Sequence, residues 1–163
     1  ENIMRLVGTA SSVSANAQVV VPHRRGWDGT REQMTIPDQL DAIYTLHNGG
    51  LVNLSVTTAS GPFLPANQIW IFGTEGTIHI QTGGSGEDPV VTGGRKGDDA
   101  MSEITVPDDK RGSWRVEEEF INAIRGIEPV TRSNFTDSLK YMEFTDALQE
   151  SWQTGMRVYL PGS

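Results

Sequence analysis

Residues Gln68–Gln81 read QIWIFGTEGTIHIQ. Ile69 and Ile71 alternate with Trp70 and Phe72 on one arm, and Ile78 and Ile80 alternate with Thr77, His79 and Gln81 on the other. The arms flank Gly73-Thr74-Glu75-Gly76. Period-two alternation around a short glycine-bearing connection predicts a β-hairpin, because successive side chains of a strand point to opposite faces.

Upstream, Asn48-Gly49-Gly50 marks a second hairpin, since both central positions of a tight hairpin turn favour positive φ. It joins a strand over Gln39–His47 to one over Leu51–Ala59. On the first, Leu40, Ala42, Tyr44 and Leu46 share a face; on the second, Val52, Leu54 and Val56 do. Upstream, Ala10–Pro22 alternates Val13, Ala15, Ala17, Val19 and Val21 with Ser12, Ser14, Asn16 and Gln18, a long strand with one polar side, ended by proline. Val90–Thr92, Met101–Val106 and Arg157–Leu160 are expected as short strands, and His23–Pro37 as a long loop. The period then lengthens to that of helices. Ser113 is placed to cap Trp114–Arg125, with Val116, Phe120, Ile121 and Ile124 as its stripe and Gly126 closing it. Asn134 or Thr136 caps a longer helix to about Thr154, with Leu139, Met142, Phe144, Leu148 and Trp152 on its inner side and Gly155 at its end. The opening ENIMRLVG has the pattern of a helix tail closed by Gly8, which suggests a piece of a longer protein. Strands followed by helices predict an α+β fold: an open, mostly antiparallel sheet of six to eight strands with helices packed on one face, in a single domain over 1–163.

Composition sets limits on function. The 163 residues suffice for one domain that buries roughly two thirds of its unfolded surface. There is no cysteine, so disulfide frameworks and cysteine-based zinc or haem sites are excluded, in keeping with a reducing cytoplasm. The net charge is −8, from 13 Lys and Arg against 21 Asp and Glu, which argues against nucleic acid or an anionic membrane as partner. No apolar run approaches the ~20 residues that cross a bilayer.

Candidate chemistry is sparse. Gly83-Gly84-Ser85-Gly86 and Gly93-Gly94 do not precede helices, as phosphate-cradling loops do, so flexible turns are expected there. His23, His47 and His79 lack metal-ligand spacing, and the Asp98-Asp99 and Asp108-Asp109 pairs have no third ligand nearby. His23, Arg24 and Arg25, with Trp27 beyond them, gather donors where a strand opens into a loop. Paired arginines suit a carboxylate or phosphate, and a solvated loop edge is the alternative. No catalytic, cofactor or metal residue is assigned.

The order of elements and several motifs together resemble one family. They are a strand with VSA, a basic loop, strand–NGG–strand, IFGTEGTIHI, EEEFINAIRG-x-x-P, the helix DSLKYMEFTDALQES and a closing VYLP. This resembles the C-terminal domain of the Gfo/Idh/MocA oxidoreductases, over essentially the whole chain. The resemblance implies an enzyme acting on a sugar, cyclitol or related polyol, with NAD or NADP bound by an N-terminal Rossmann domain that this chain lacks. The family's dinucleotide, lysine and Asp-x-x-x-His motifs would fall ahead of Glu1. This chain would bind no cofactor and do no catalysis alone; it would supply a wall of the substrate site, with His23, Arg24, Arg25 and Trp27 as candidates by position, and a sheet face for a homo-oligomer. The other expectation is a non-catalytic carbohydrate- or protein-binding module that uses an open sheet face.

Overall fold

The computed structural model describes residues 1–61, 67–82, 88–131 and 134–162. In chain order the elements are α1 (Asn2–Val7), β1 (Ala10–Gln18), β2 (His23–Arg25), β3 (Arg31–Gln33), β4 (Gln39–Leu46), β5 (Leu51–Thr57), β6 (Gln68–Phe72), β7 (Gly76–Gln81), β8 (Val90–Arg95), β9 (Ser102–Glu103), α2 (Val116–Ile124), α3 (Phe135–Thr154) and β10 (Val158–Tyr159). The fold is α+β, and every strand pairing is antiparallel. The strands divide among three sheets, in the orders β10-β1-β4-β5, β2-β3 and β6-β7-β8-β9, where one sheet was expected. They belong to two compact units, Glu1–Gly61 with Val116–Ser163, and Pro62–Arg115.

In the first unit, the register sets Val13 opposite Tyr44, Ala15 opposite Ala42 and Tyr44 opposite Val52, which collects the apolar halves of three alternating strands on one face. That face meets α3. Val13, Ala42, Tyr44, Leu46, Phe144 and Ala147 are buried there with Met4 and Ala10, and the Tyr44 and Phe144 rings meet edge to face at 4.9 Å between centroids. The other face carries Ser14, Asn16, Asp41, Ile43, Asn53 and Ser55 along a shallow groove. Helix α3 starts where its cap demands, with Asn134 Oδ1 accepting the Asp137 N–H at 2.9 Å, and ends at Gly155 in the left-handed region at φ 71°.

One helix face differs from expectation. Along α3 the buried residues are Phe144, Ala147 and Ser151, while Leu139 and Met142 are exposed. Along α2 the apolar residues Phe120, Ile121 and Ile124 are exposed and Glu119 is buried. Its carboxylate accepts from the Thr131 hydroxyl at 2.9 Å and the Thr131 N–H at 3.2 Å, which satisfies a charge that burial would otherwise penalise. Periodicity identifies a stripe, but the partner that reaches it decides which stripe is covered.

In the second unit, the β6–β7 hairpin forms as its sequence predicts. Ile69 faces Ile80 and Ile71 faces Ile78, Trp70 lies opposite His79, and the Gly73 N–H closes the turn on the Gly76 carbonyl at 2.9 Å. Gly76 is required by a close approach: a Cβ there would collide with the Gly94 carbonyl oxygen of β8. Gly93-Gly94 lie inside β8 rather than in a turn, and Val90–Arg95 runs longer than the expected Val90–Thr92. β9 is shorter than Met101–Val106. The expected turn at Gly83-Gly84-Ser85-Gly86 lies outside the described residues.

Candidate functional site

The segment between β1 and β4, expected as a loop, contains the two-stranded hairpin β2–β3. Its tip is the β-turn Gly26-Trp27-Asp28-Gly29, closed by the Gly29 N–H on the Gly26 carbonyl at 3.0 Å and by the Gly26 N–H on the Thr30 carbonyl at 2.9 Å. Gly29 takes φ +84°, a conformation side-chain-bearing residues rarely adopt. Asp28 fixes the turn by accepting the Thr30 N–H at 2.9 Å and the Thr30 hydroxyl at 2.6 Å. The hydroxyl bond, followed by the backbone bond, holds the Asp28 carboxyl below its ordinary pKa.

The pairing fixes which side chains share a face. His23 lies opposite Gln33, Arg24 opposite Glu32 and Arg25 opposite Arg31, so alternation places His23, Arg25, Arg31 and Gln33 on one face and Arg24 with Glu32 on the other. The four predicted site residues therefore separate. Arg24 turns back toward the sheet and donates from Nη2 to Asp38 Oδ2 at 2.9 Å and to the Thr58 hydroxyl at 3.3 Å. Its Nε is buried and, among the described residues, has no partner. Asp38 also accepts the Val20 and Val21 N–H groups, at 2.7 and 3.1 Å. The Val20 bond first, then Arg24, lowers the Asp38 pKa. Arg24 thus anchors the hairpin. On the opposite face Arg31 Nη2 donates to His23 Nδ1 at 3.1 Å, and the Arg25 guanidinium lies over Gly29, 3.4 Å from where a Cβ would stand. Trp27, at the turn, is fully exposed.

Sequence reasoning passed over Arg31 and Asp38. The Asp-Gly pair within GWDGT was the available signal, since that dipeptide favours hairpin turns. The remaining candidates are structural. His79 stacks on Trp70 at 4.0 Å between centroids, with its Nε2 buried and without a partner among the described residues. His47 lies at the β4–β5 turn and is exposed, its N–H bonded to the Thr9 carbonyl at 3.0 Å. Asp98 accepts the Arg95 N–H at 2.8 Å, and Asp108 and Asp109 pair with Arg111 and Lys110. Among the described residues no group of three or more His, Asp or Glu could hold a metal ion, and no helix is long and apolar enough to cross a membrane. Gly93-Gly94, within a strand, do not present their N–H groups at a helix N-terminus as a phosphate cradle does.

No family model and no curated protein matches the chain. Solved structures do. Levoglucosan dehydrogenase in complex with NADH and levoglucosan superposes with a TM-score of 0.78 at 19% identity over 99% of this chain and 48% of that one. An NAD-binding oxidoreductase from Klebsiella pneumoniae gives 0.74 at 17% identity, covering 99% and 48%. The WlbA dehydrogenase from Bordetella pertussis, in complex with NADH and UDP-GlcNAcA, gives 0.65 at 21%, covering 99% and 42%. The chain spans about half the length of these relatives and has the fold of that half. The fold implied by the sequence resemblance is the one these oxidoreductase structures share with the chain.

Proposed function

We propose that this chain, whose fold is that of about half of an NAD-binding oxidoreductase, is the C-terminal, substrate-side and subunit-interface domain of a cytoplasmic NAD(P)-dependent oxidoreductase. Its substrate is a sugar, cyclitol or related polyol. The observation that carries the reading is the match of nearly the whole chain to less than half of levoglucosan dehydrogenase. A domain that accounts for one part of such enzymes leaves the nucleotide to the other part, here an N-terminal Rossmann domain. On this reading the cofactor supplies the hydride chemistry, and the residues of this chain bind and orient the substrate and exclude water.

Within the chain, the β2–β3 hairpin is the substrate-side edge. His23, Arg25 and Trp27 present donors and an aromatic face, and Arg24 holds the hairpin in place through Asp38. The polar face of the β10-β1-β4-β5 sheet, lined by Ser14, Asn16, Asp41, Ile43, Asn53 and Ser55, is the homo-oligomer surface. Ile43 and Leu51 are exposed on it, and in α2 Phe120, Ile121 and Ile124 are exposed as well. Apolar area of this kind favours partner surfaces over bare solvent.

The test has two parts. The coding sequence ahead of Glu1 is expected to carry a G-x-G-x-x-G fingerprint within ~150 residues, after a strand and before a helix. A start site near Glu1 would favour the non-catalytic binding module instead. Calorimetric titration of the chain with NADH and NADPH is expected to show no binding, and tight nucleotide binding by these residues would refute the assignment. Sedimentation that gives a strict monomer at high concentration would remove the interface role.

A further inference from the structure

We infer that the β2–β3 hairpin takes an oxyanion, a carboxylate or phosphate carried by a sugar, between Arg25 and Arg31 with His23 beside them. The inference deepens the substrate-side reading above and rests on it. The register sets Arg25 directly opposite Arg31. Directly opposed side chains in an antiparallel pair have Cβ atoms about 5 Å apart, and like charges so placed repel. Among the described residues neither guanidinium makes an ion pair, although the neighbouring Arg24, on the opposite face, is paired with Asp38.

The carboxylates nearest in sequence are both turned elsewhere. Asp28 is held by the Thr30 N–H and hydroxyl, and Glu32 lies on the Arg24 face, against Gly26. The two guanidiniums are also positioned. His23 Nδ1 accepts from Arg31, whose Nη2 can only donate, and Arg25 rests over the bare Cα of Gly29. Two arginines opposed across the strands on one face of a hairpin supply the planar donor groups that a carboxylate or phosphate accepts bidentately. An anion between them converts the cross-strand repulsion into two attractions. Trp27, fully exposed at the turn of the same hairpin, supplies an apolar plane of the kind a pyranose ring stacks on. Oxyanion and ring together define the ligand class as a sugar acid or a sugar phosphate.

The experiment is a titration of the full chain, at fixed ionic strength, with D-glucuronate, glucose 6-phosphate, D-glucose and inorganic phosphate. Binding is read by calorimetry and by the Arg Nε and Trp indole NMR signals. At least one anionic sugar is expected to bind saturably and about tenfold more tightly than glucose, with Arg25, Arg31 and Trp27 signals moving together. Arg25→Gln and Arg31→Gln are each expected to weaken it about tenfold, Arg25→Lys to retain part of it, and Arg157→Gln to leave it unchanged. Preference for glucuronate assigns the carboxylate, and preference for glucose 6-phosphate or inorganic phosphate assigns the phosphate. Glucose bound as tightly as the anions overturns the oxyanion inference and leaves the substrate-side role standing, as does wild-type binding by both Gln variants. Shifts that sodium chloride reproduces, or that never saturate, overturn it too. Absence of a dinucleotide fingerprint ahead of Glu1 would instead sink the oxidoreductase assignment, with anion binding by the hairpin still measurable.

Discussion

Ser151→Ala should be the most damaging single-atom change in the first unit. Ser151 is 1% exposed and lies on α3 against β1. Its hydroxyl accepts the Ala15 N–H at 2.9 Å and donates to the Met156 carbonyl at 2.6 Å. The first bond exists because β10 pairs only with Ser12 and Val13, so the edge of β1 loses its strand partner before Ala15. Removing the hydroxyl strands one backbone donor and one backbone acceptor. Each such group, left unmade, costs about 1–3 kcal/mol, and allowing for partial rehydration the sum is about 2–4 kcal/mol. That is a large share of the ~5–15 kcal/mol that holds a typical domain together. In urea, with a slope of about 1–3 kcal/mol per molar, the midpoint should fall by roughly 1–2 M at unchanged slope. Far-UV circular dichroism and the fluorescence of the adjacent Trp152 report the transition. Gln149→Ala, an exposed change on the same helix, should stay within about 0.5 kcal/mol. A Ser151→Ala loss no larger than that of Gln149→Ala would refute the reasoning.

Asp38→Asn should lower stability at neutral pH. Because the folded Asp38 pKa is lowered by the Val20 N–H and then Arg24, its stabilisation is present above its ordinary 3.8 and disappears as pH falls through the lowered value. Urea midpoints of wild type and variant should therefore differ at pH 7 and converge in acid, and a gap independent of pH would count against the anchor. Burial pushes the Tyr44 hydroxyl up to about 12, so stability should be intact below pH 10 and fall between about 10 and 12. Ultraviolet titration should show one of the three tyrosines ionising only with unfolding, and three ordinary phenol titrations would contradict this. In the β6–β9 sheet, Gly76→Ala should cost about 1–3 kcal/mol, because the obstacle is the Gly94 backbone oxygen. Gly93→Ala meets the movable Ile104 Cδ1 at 2.7 Å and should cost less, so thermal midpoints in the reverse order would overturn the close-approach argument.

What was legible in the sequence was legible for local reasons. QIWIFGTEGTIHIQ announces its hairpin through apolar alternation and a glycine turn. Asn48-Gly49 does so through turn chemistry: Gly49 takes φ +89°, and Asn48 Oδ1 accepts the Gly50 N–H at 3.1 Å. Asn134 and Gly155 mark the ends of α3 because caps are local hydrogen-bonding problems. The β2–β3 hairpin was missed since HRR and REQ carry no apolar alternation, and only the turn betrays them. The site suffered accordingly. His23, Arg25 and Trp27 could be singled out, but Arg31 joins them only through the register, and Arg24 leaves them only through Asp38, fourteen residues on. On α2 the apolar stripe was legible as a pattern, but its exposure was not, because burial depends on what arrives from elsewhere in the chain. Ser151, the last residue of DSLKYMEFTDALQES, has its physical reason in the unpaired edge of β1, which no local pattern reveals.

Asp38 has a consequence for how this chain can change over time. Its carboxylate grips Val20 and Val21, its N–H reaches the Gln18 carbonyl at 3.2 Å, and its carbonyl takes the Thr58 N–H at 2.9 Å. The two ends of the excursion from β1 to β4 are therefore clasped at the base, largely by backbone groups, with Arg24 adding a side chain from the excursion itself. Each doubling of a clasped loop's length adds only about 0.6 kcal/mol of closure entropy. Residues 25–33, beyond Arg24, are therefore expected to tolerate insertions, deletions or a transplanted turn while the Val13–Tyr44 register beneath stays in place. On the substrate-side reading proposed above, a lineage or an engineer can revise specificity here without renegotiating the fold.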